Sequence, residues 1–225
     1  MDKNIFHMIN RGVEKRKIFL TNRDYIRFIH NISDFNSVDN ALQSYMRRRN
    51  DNLMEVTEVR PPSKQLVDVF CWSLLPNHPH LLVAECGEKF AGMFSRKIFG
   101  GYTMYFNENY DRSGVLFQGR SKIIPVMRDA HLLHLPFYIH SNPLDVFQPN
   151  WREDGIKNIK GAIKFLEEYR WSNYRDIIGQ GQGEFADASN KELFFDMFDT
   201  NKRQYQQDMI EWLKEGEYSI ELTDS

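Results

Sequence analysis

Cysteine is nearly absent from this chain: Cys71 and Cys86 are the only two in 225 residues. One pair describes no disulfide framework in a chain of this size. Nor does it complete a zinc site with His78 and His80. A two-residue turn sets Cys71 opposite Leu82, and Cys86 falls roughly 20 Å along the strand from His80. Both thiols are expected to be buried as small apolar groups. Long hydrophobic runs are missing as well. No stretch of eighteen apolar residues occurs and no basic-then-apolar leader follows Met1, which excludes a membrane-spanning helix and a secretory signal and makes the cytoplasm the expected location. Internal repeats and low-complexity tracts are also absent.

Net charge is small, at −2, but it is unevenly spread. Residues 1–17 carry Lys3, Arg11, Lys15, Arg16 and Lys17 against Asp2 and Glu14. Residues 89–128 carry Lys89, Arg96, Lys97, Arg112, Arg120, Lys122 and Arg128 against Glu108 and Asp111. From Glu184 onward acidic residues outnumber basic ones by seven, which hides both basic blocks in the total. Phosphate contact needs only a local basic surface. Most single lysines belong to solvated helix faces, so the clustering alone is informative.

At 41% hydrophobic and 14% aromatic residues, the chain can bury the core of one domain with an appendage. Residues 4–10 alternate like a strand, and Thr21 or Asn22 can cap a helix whose apolar positions are Tyr25, Phe28, Ile29 and Ile32. Residues 36–64 are polar and irregular and are expected to be a partly mobile insertion. Residues 65–75 and 78–85 flank the turn pair Pro76-Asn77 and predict a hairpin. Residues 88–110 predict a long helix interrupted at Gly100-Gly101, and residues 115–126 predict a strand with a bulge at Gly119. The order strand, helix, strand, strand, helix, strand predicts an α+β fold. It is a ferredoxin-like split β-α-β antiparallel sheet with helices on one face and the His78 strand at its centre. Residues 1–150 would form this domain, and residues 151–225 a helical C-terminal extension without clear independence.

Two patterns carry chemistry. His78 and His80 alternate along one strand, so both point to the same face about 7 Å apart, close enough to share a divalent ion. Taken alone, such a pair is more often two polar residues on an open sheet face. The second pattern is the helix expected from Asp129 to about Pro143. On it His131, His134, Tyr138 and Asn142 form one stripe, with Tyr138 and Asn142 a turn apart. A phenol can attack phosphorus and an amide oxygen can ligate the metal that polarises it, though an isolated match is more often a solvated face. Pro136 is expected to kink this helix.

Together these residues resemble the single-tyrosine HUH transposases, and among them the REP-associated tyrosine transposase-like proteins. The resemblance covers roughly residues 4–179. It rests on Asn10-Arg-Gly12 followed by Ile18-Phe19, on Leu75-Pro-Asn-His-Pro-His-Leu-Leu-Val83, on Gly114-Val-Leu-Phe-Gln-Gly-Arg120, on Tyr138-Ile-His-Ser-Asn-Pro143 and on Tyr169-Arg-Trp-Ser-Asn-Tyr174. Pro79 stands where a bulkier residue is usual, Ser141 replaces a usual Leu, and an acidic helix expected over 193–213 lies outside the match.

The resemblance implies that His78, His80 and Asn142 hold a divalent metal, Mg²⁺ or Mn²⁺, and that Tyr138 is the nucleophile. The reaction implied is cleavage and rejoining of single-stranded DNA through a 5′-phosphotyrosine. Arg11, Gln118 and Arg120 match motif positions read as positioning DNA. Lys15, Arg16, Lys17, Arg112 and Lys122 join them from the basic blocks. The implied partner is a single-stranded DNA hairpin, bound by a monomer or homodimer with no membrane involved. Two alternatives stay open: a metal-dependent phosphodiester hydrolase that does not use Tyr138, and a catalytically inactive hairpin-binding protein.

Overall fold

The structure is a computed structural model and describes residues 3–39, 64–127, 129–181 and 183–216. Four antiparallel strands form one sheet: β1 (Ile5–Ile9), β2 (Val67–Leu75), β3 (His78–Glu85) and β4 (Lys122–Pro125), in the order β2-β3-β1-β4. β3 is therefore central, hydrogen-bonded on both sides. The hairpin closes with Leu75 opposite His78, and Cys71 stands opposite Leu82, as the two-residue turn requires. Cys71 is fully buried, whereas Cys86 is only partly so, and both are free thiols.

Helices α1 (Asn22–Asp34) and α2 (Phe90–Asn109) cover one face of the sheet. Phe28, Ile29, Ile32, Phe94, Ile98 and Tyr102 pack there against Met8, Val69, Trp72, Leu81 and Val83. Thr21 and Asp24 form a capping box at the start of α1. The buried Asp24 carboxylate also accepts from the hydroxyls of Tyr105 in α2 and of Tyr110 just after it, so the two helices are tied by a carboxylate whose hydrogen bonds offset its desolvation. The α+β class and the helix-covered face match the sequence expectation. The opposite face is also covered, by helix α3 (Asp129–Ser141), α4 (Ile159–Glu168), α5 (Lys191–Phe198) and α6 (Lys202–Glu215). There Leu135, Ile139, Leu166, Phe194, Tyr205 and Trp212 bury Phe70, Cys71, Leu82 and Ala84. These four helices thus share a core with the sheet.

Three expectations about elements need correction. The expected interruption at Gly100-Gly101 does not occur, and α2 runs unbroken. A Cβ on Gly101 would lie 2.3 Å from the Phe35 ring, so that glycine serves the close approach of α1 and α2. The strand expected over 115–126 is shortened to Lys122–Pro125. Before it only Phe117 bridges to Gly12, and Gly119 adopts φ +80, which turns the chain out of the sheet. The helix expected over 193–213 is two helices, because Asp199 is left-handed at φ 44 and Asn201 caps α6 through its side chain. Most of the 36–64 insertion, residues 40–63, lies outside the described residues. Its ends are pinned where Ser37 pairs with Gln65 and Asn36 exchanges two hydrogen bonds with the Val67 backbone.

The adjacent glycines Gly100 and Gly101 of α2 separate packing from propensity. Nothing lies within 4 Å of a Cβ on the exposed Gly100, so Gly100→Ala should stabilise by about 0.5–1 kcal/mol. Gly101→Ala should instead destabilise by about 1–3 kcal/mol through overpacking against Phe35. Urea unfolding of both variants reads the difference, and equal midpoints would contradict this account of α2.

Candidate active site on the covered sheet face

β3 begins immediately after the Pro76-Asn77 turn, and the loop following β1 wraps that turn. Gly12 donates from its backbone N–H to the Asn77 carbonyl at 2.9 Å, and Ile18 and Phe19 donate to the Pro76 carbonyl. A Cβ on Gly12 would lie 2.4 Å from the Arg16 carbonyl, so only glycine lets this loop close. The wrapping fixes Asn77. Its Nδ2 donates to the Lys15 carbonyl at 3.4 Å, which leaves Oδ1 to accept from His78 Nδ1 at 2.6 Å. His78 therefore carries its proton on Nδ1 and presents a bare Nε2.

His80 is 1% exposed, and its Nδ1 pairs with His7 Nε2 at 2.9 Å. Its own Nε2 is buried without a partner. With the shared proton on His80 Nδ1, His78 and His80 both offer bare Nε2 atoms from rings 4.7 Å apart, and His7 orients the second of them. Burial is the main cause that pushes His7 down to about 4 and His78 down to about 3; Arg11, Arg152 and His7 add to it at His78. His80 is held well below its usual value, again by burial first. All three imidazoles are neutral at pH 7, the form a metal accepts.

Helix α3 brings the second half. Asn142 donates from its backbone to the Tyr138 carbonyl at 3.1 Å, continuing the helical pattern one residue past Ser141 and stacking the two side chains. The helix runs through Pro136. The Tyr138 ring stands edge-on to His80 and His7, with centroids 5.9 and 6.1 Å away. Burial raises its phenol, while the Arg152 and Arg11 charges lower it. Asn142 is 2% exposed; its Oδ1 accepts from Arg152, and its Nδ2 is buried without a partner.

The structure thus brings His78, His80 and Tyr138 to one place, with Asn142 one turn from Tyr138 and bonded to the Arg152 that lies over the Tyr138 ring. His131 is half-buried and His134 exposed on the same helix, with no part in this cluster. Among the described residues no three His, Cys, Asp or Glu side chains are grouped as a metal site. The donors present nevertheless fit a hard or borderline divalent ion: His78 with a bare Nε2, His80 with one when the proton it shares with His7 sits on its own Nδ1, and one buried carboxamide. Among the residues assigned to DNA, Arg11 is exposed, and its charge reaches His78, His80 and Tyr138. Gln118 donates from its backbone to the Arg11 carbonyl at 2.7 Å, which brings the exposed Gln118-Gly119-Arg120 segment beside it. Lys122 lies in one cross-strand row with Ile9 and His80. Lys15 and Lys17 are exposed on the loop around the turn, where Arg16 reaches Glu14. Arg112 lies elsewhere, its guanidinium over the Phe106 ring at 5.5 Å.

Sequence reasoning missed His7 and Arg152. The signal for His7 was present: it shares a face with Ile5 and Ile9 on the strand that pairs with β3. Arg152 had none, since it lies ten residues beyond Asn142 in a short helical turn (Trp151–Asp154).

No protein family matches the chain, and neither does any curated protein sequence. It is similar in structure to a solved REP-associated tyrosine transposase bound to a REP hairpin. The match covers 85% of this chain and 88% of that one, at 16% sequence identity and a TM-score of 0.47. Similarity of that degree leaves the chemistry to the residues of the site. Among the described residues no helix is long and apolar enough to cross a membrane.

Buried neutral histidines make stability pH-dependent in a stated direction. His7 titrates near 4 when folded and near 6.5 when unfolded, so between these values the unfolded chain holds more protons. Its contribution is complete above pH 6.5 and is lost as pH falls toward 4, amounting to about 2 kcal/mol by pH 5. Urea unfolding between pH 7 and 5 should show this loss, and His7→Gln should flatten the slope by about one proton's worth. An unchanged slope would show that His7 is not held neutral.

Proposed function

We propose that the protein cleaves and rejoins single-stranded DNA through a covalent phosphotyrosine, with Tyr138 as nucleophile. The observation that supports this reading is the convergence of Tyr138, His78, His80 and Asn142 on one site, with the imidazoles neutral and the His80 Nε2 unpartnered. His78, His80 and Asn142 would hold a divalent metal, Mg²⁺ or Mn²⁺, which when bound supplies Lewis-acid polarisation of a non-bridging phosphate oxygen.

The protein's own residues carry the remaining steps. The Tyr138 oxygen attacks the phosphorus and loses its proton. The bond from phosphorus to the 3′ oxygen breaks, and that oxygen leaves as a 3′-hydroxyl after taking a proton. The 5′-phosphate stays on the tyrosine, and because one phosphoester replaces another, an incoming 3′-hydroxyl can reverse the reaction and join strands. Arg11 and Arg152 favour the phenolate, and their charges offset that of the phosphate. His7 keeps the His80 ring in one orientation. The exposed Arg11, Lys15, Lys17, Gln118 and Arg120 and the Lys122 of β4 supply backbone contacts to a DNA hairpin. Occupation of the Asn142 oxygen by Arg152 favours a second reading, a site that binds the hairpin without cutting it.

Cleavage and gel-shift measurements on single-stranded DNA taken from beside the gene decide between them. Tyr138→Phe should abolish cleavage and retain DNA binding, and His80→Ala should reduce cleavage at least about a hundredfold with binding nearly intact. Tyr110→Phe is the control and should cleave normally, since its hydroxyl only supports the already well-bonded Asp24. Wild-type cleavage by Tyr138→Phe would make water the nucleophile and the protein a hydrolase; binding without cleavage by the wild type would select the second reading.

A further inference from the structure

Arg152 is held more firmly than a surface arginine needs to be. Its guanidinium stacks on the ring of the fully buried Trp151 at 4.4 Å and lies 5.4 Å from the centre of the Tyr138 ring. One terminal nitrogen donates to Asp145 and the other to Asn142 Oδ1. Asp145 is itself positioned, because Trp151 Nε1 donates to the same carboxylate oxygen at 2.8 Å. Its backbone N–H donates to the Asn142 carbonyl at 3.0 Å. A planar donor fork anchored in this way by Trp151 and Asp145 is preorganised for the Asn142 oxygen.

That oxygen is the atom a metal would need from Asn142, since the other carboxamide atom is an N–H₂ group that ligates nothing. The imidazoles on the facing strand are oriented by other partners, Asn77 and His7. Resting on the metal-site reading above, we propose that Arg152 is a positioning residue that competes with the divalent cation for Asn142 Oδ1. It holds the carboxamide through its hydrogen bond to Oδ1, and an entering ion must displace the guanidinium or share the oxygen with it. Two cations on one carbonyl oxygen repel, so Arg152 sets the metal affinity of the site low. Arg152 thereby makes occupancy depend on the ambient concentration of the ion.

Mn²⁺ titration of the full-length protein, followed by the loss of the free-ion electron paramagnetic resonance signal, tests this without reference to activity. Removing Arg152 alone would expose the Asp145 carboxylate as a new ligand, so the informative variant is Arg152→Met with Asp145→Asn. This keeps an acceptor for Trp151 Nε1 and an unbranched stem over its ring. It should bind Mn²⁺ at least about tenfold more tightly than wild type. Arg152→Lys keeps the charge and should stay within about threefold of wild type. His80→Ala should lose the binding. A double variant that binds no more tightly than wild type, while His80→Ala loses binding, overturns the role of Arg152 and leaves the metal-site reading standing. Equal tightening by Arg152→Lys also overturns it, because charge would not be the cause. If His80→Ala binds as wild type does, the metal-site reading itself fails, and this inference with it. Circular dichroism of each variant establishes that the folded chain is being titrated.

Discussion

A bulge in β2 and the single carboxamide that satisfies it hold the candidate site together. The pairing of β2 with β3 slips between Val69 and Cys71, so Phe70 is the additional residue, and Phe70 and Cys71 both enter the core under α3. β2 is also an edge strand, so its outward backbone groups on either side of the bulge have no ladder partner, and buried groups of that kind cost about 1–3 kcal/mol each. Asn173 answers them. Its Oδ1 accepts from the Trp72 N–H at 2.8 Å, and its Nδ2 donates to the Phe70 carbonyl and to Ser189 Oγ. The same oxygen accepts from His140 Nε2 at 2.9 Å, while His140 Nδ1 accepts from the Tyr205 hydroxyl at 2.7 Å. One side chain thus connects the outer strand, the α3 helix that carries Tyr138, and the C-terminal helix α6. The placement of Tyr138 over the histidine strand depends on that connection. The flanking segment also covers the edge of β2, with Leu74 donating to the Trp171 carbonyl and Ser73 bridging Ser172.

Electrostatics at the site follow from this covering. Because α3 and the helices after it close the face, the three imidazoles lose water and stay neutral. Positive charge comes instead from Arg11 and Arg152, which approach from opposite parts of the chain. Both push the Tyr138 phenol down against the upward effect of its burial. With burial the larger effect, the Tyr138 phenol is held above its usual value.

Much of this architecture was legible in the residues. The tight turn at Pro76-Asn77 set the hairpin register, and strand alternation placed His78 and His80 on one face. Helical spacing stacked Tyr138 with Asn142. What periodicity could not show was contact between distant segments. The helix unbroken at Gly101 reflects Phe35, which packs from another helix, and the shortened strand reflects a left-handed Gly119 rather than any loss of β-forming residues. The Asn173 of the Tyr169-Arg-Trp-Ser-Asn-Tyr174 motif was visible as part of a pattern, but its work lies in a bulge a hundred residues earlier. His7 and Arg152 escaped for the same reason. Each acquires a role only when the sheet and the C-terminal helices are assembled around it.

The central claim is that Tyr138, and not water, takes the phosphate. Its most direct test is mass spectrometry of the protein after incubation with Mn²⁺ and single-stranded DNA from beside its own gene, followed by nuclease and protease digestion. The account predicts a 5′-nucleotide adduct on the peptide containing Tyr138 and a DNA fragment ending in a free 3′-hydroxyl. Cleaved DNA with no adduct on the protein, or an adduct on any other tyrosine, would contradict it.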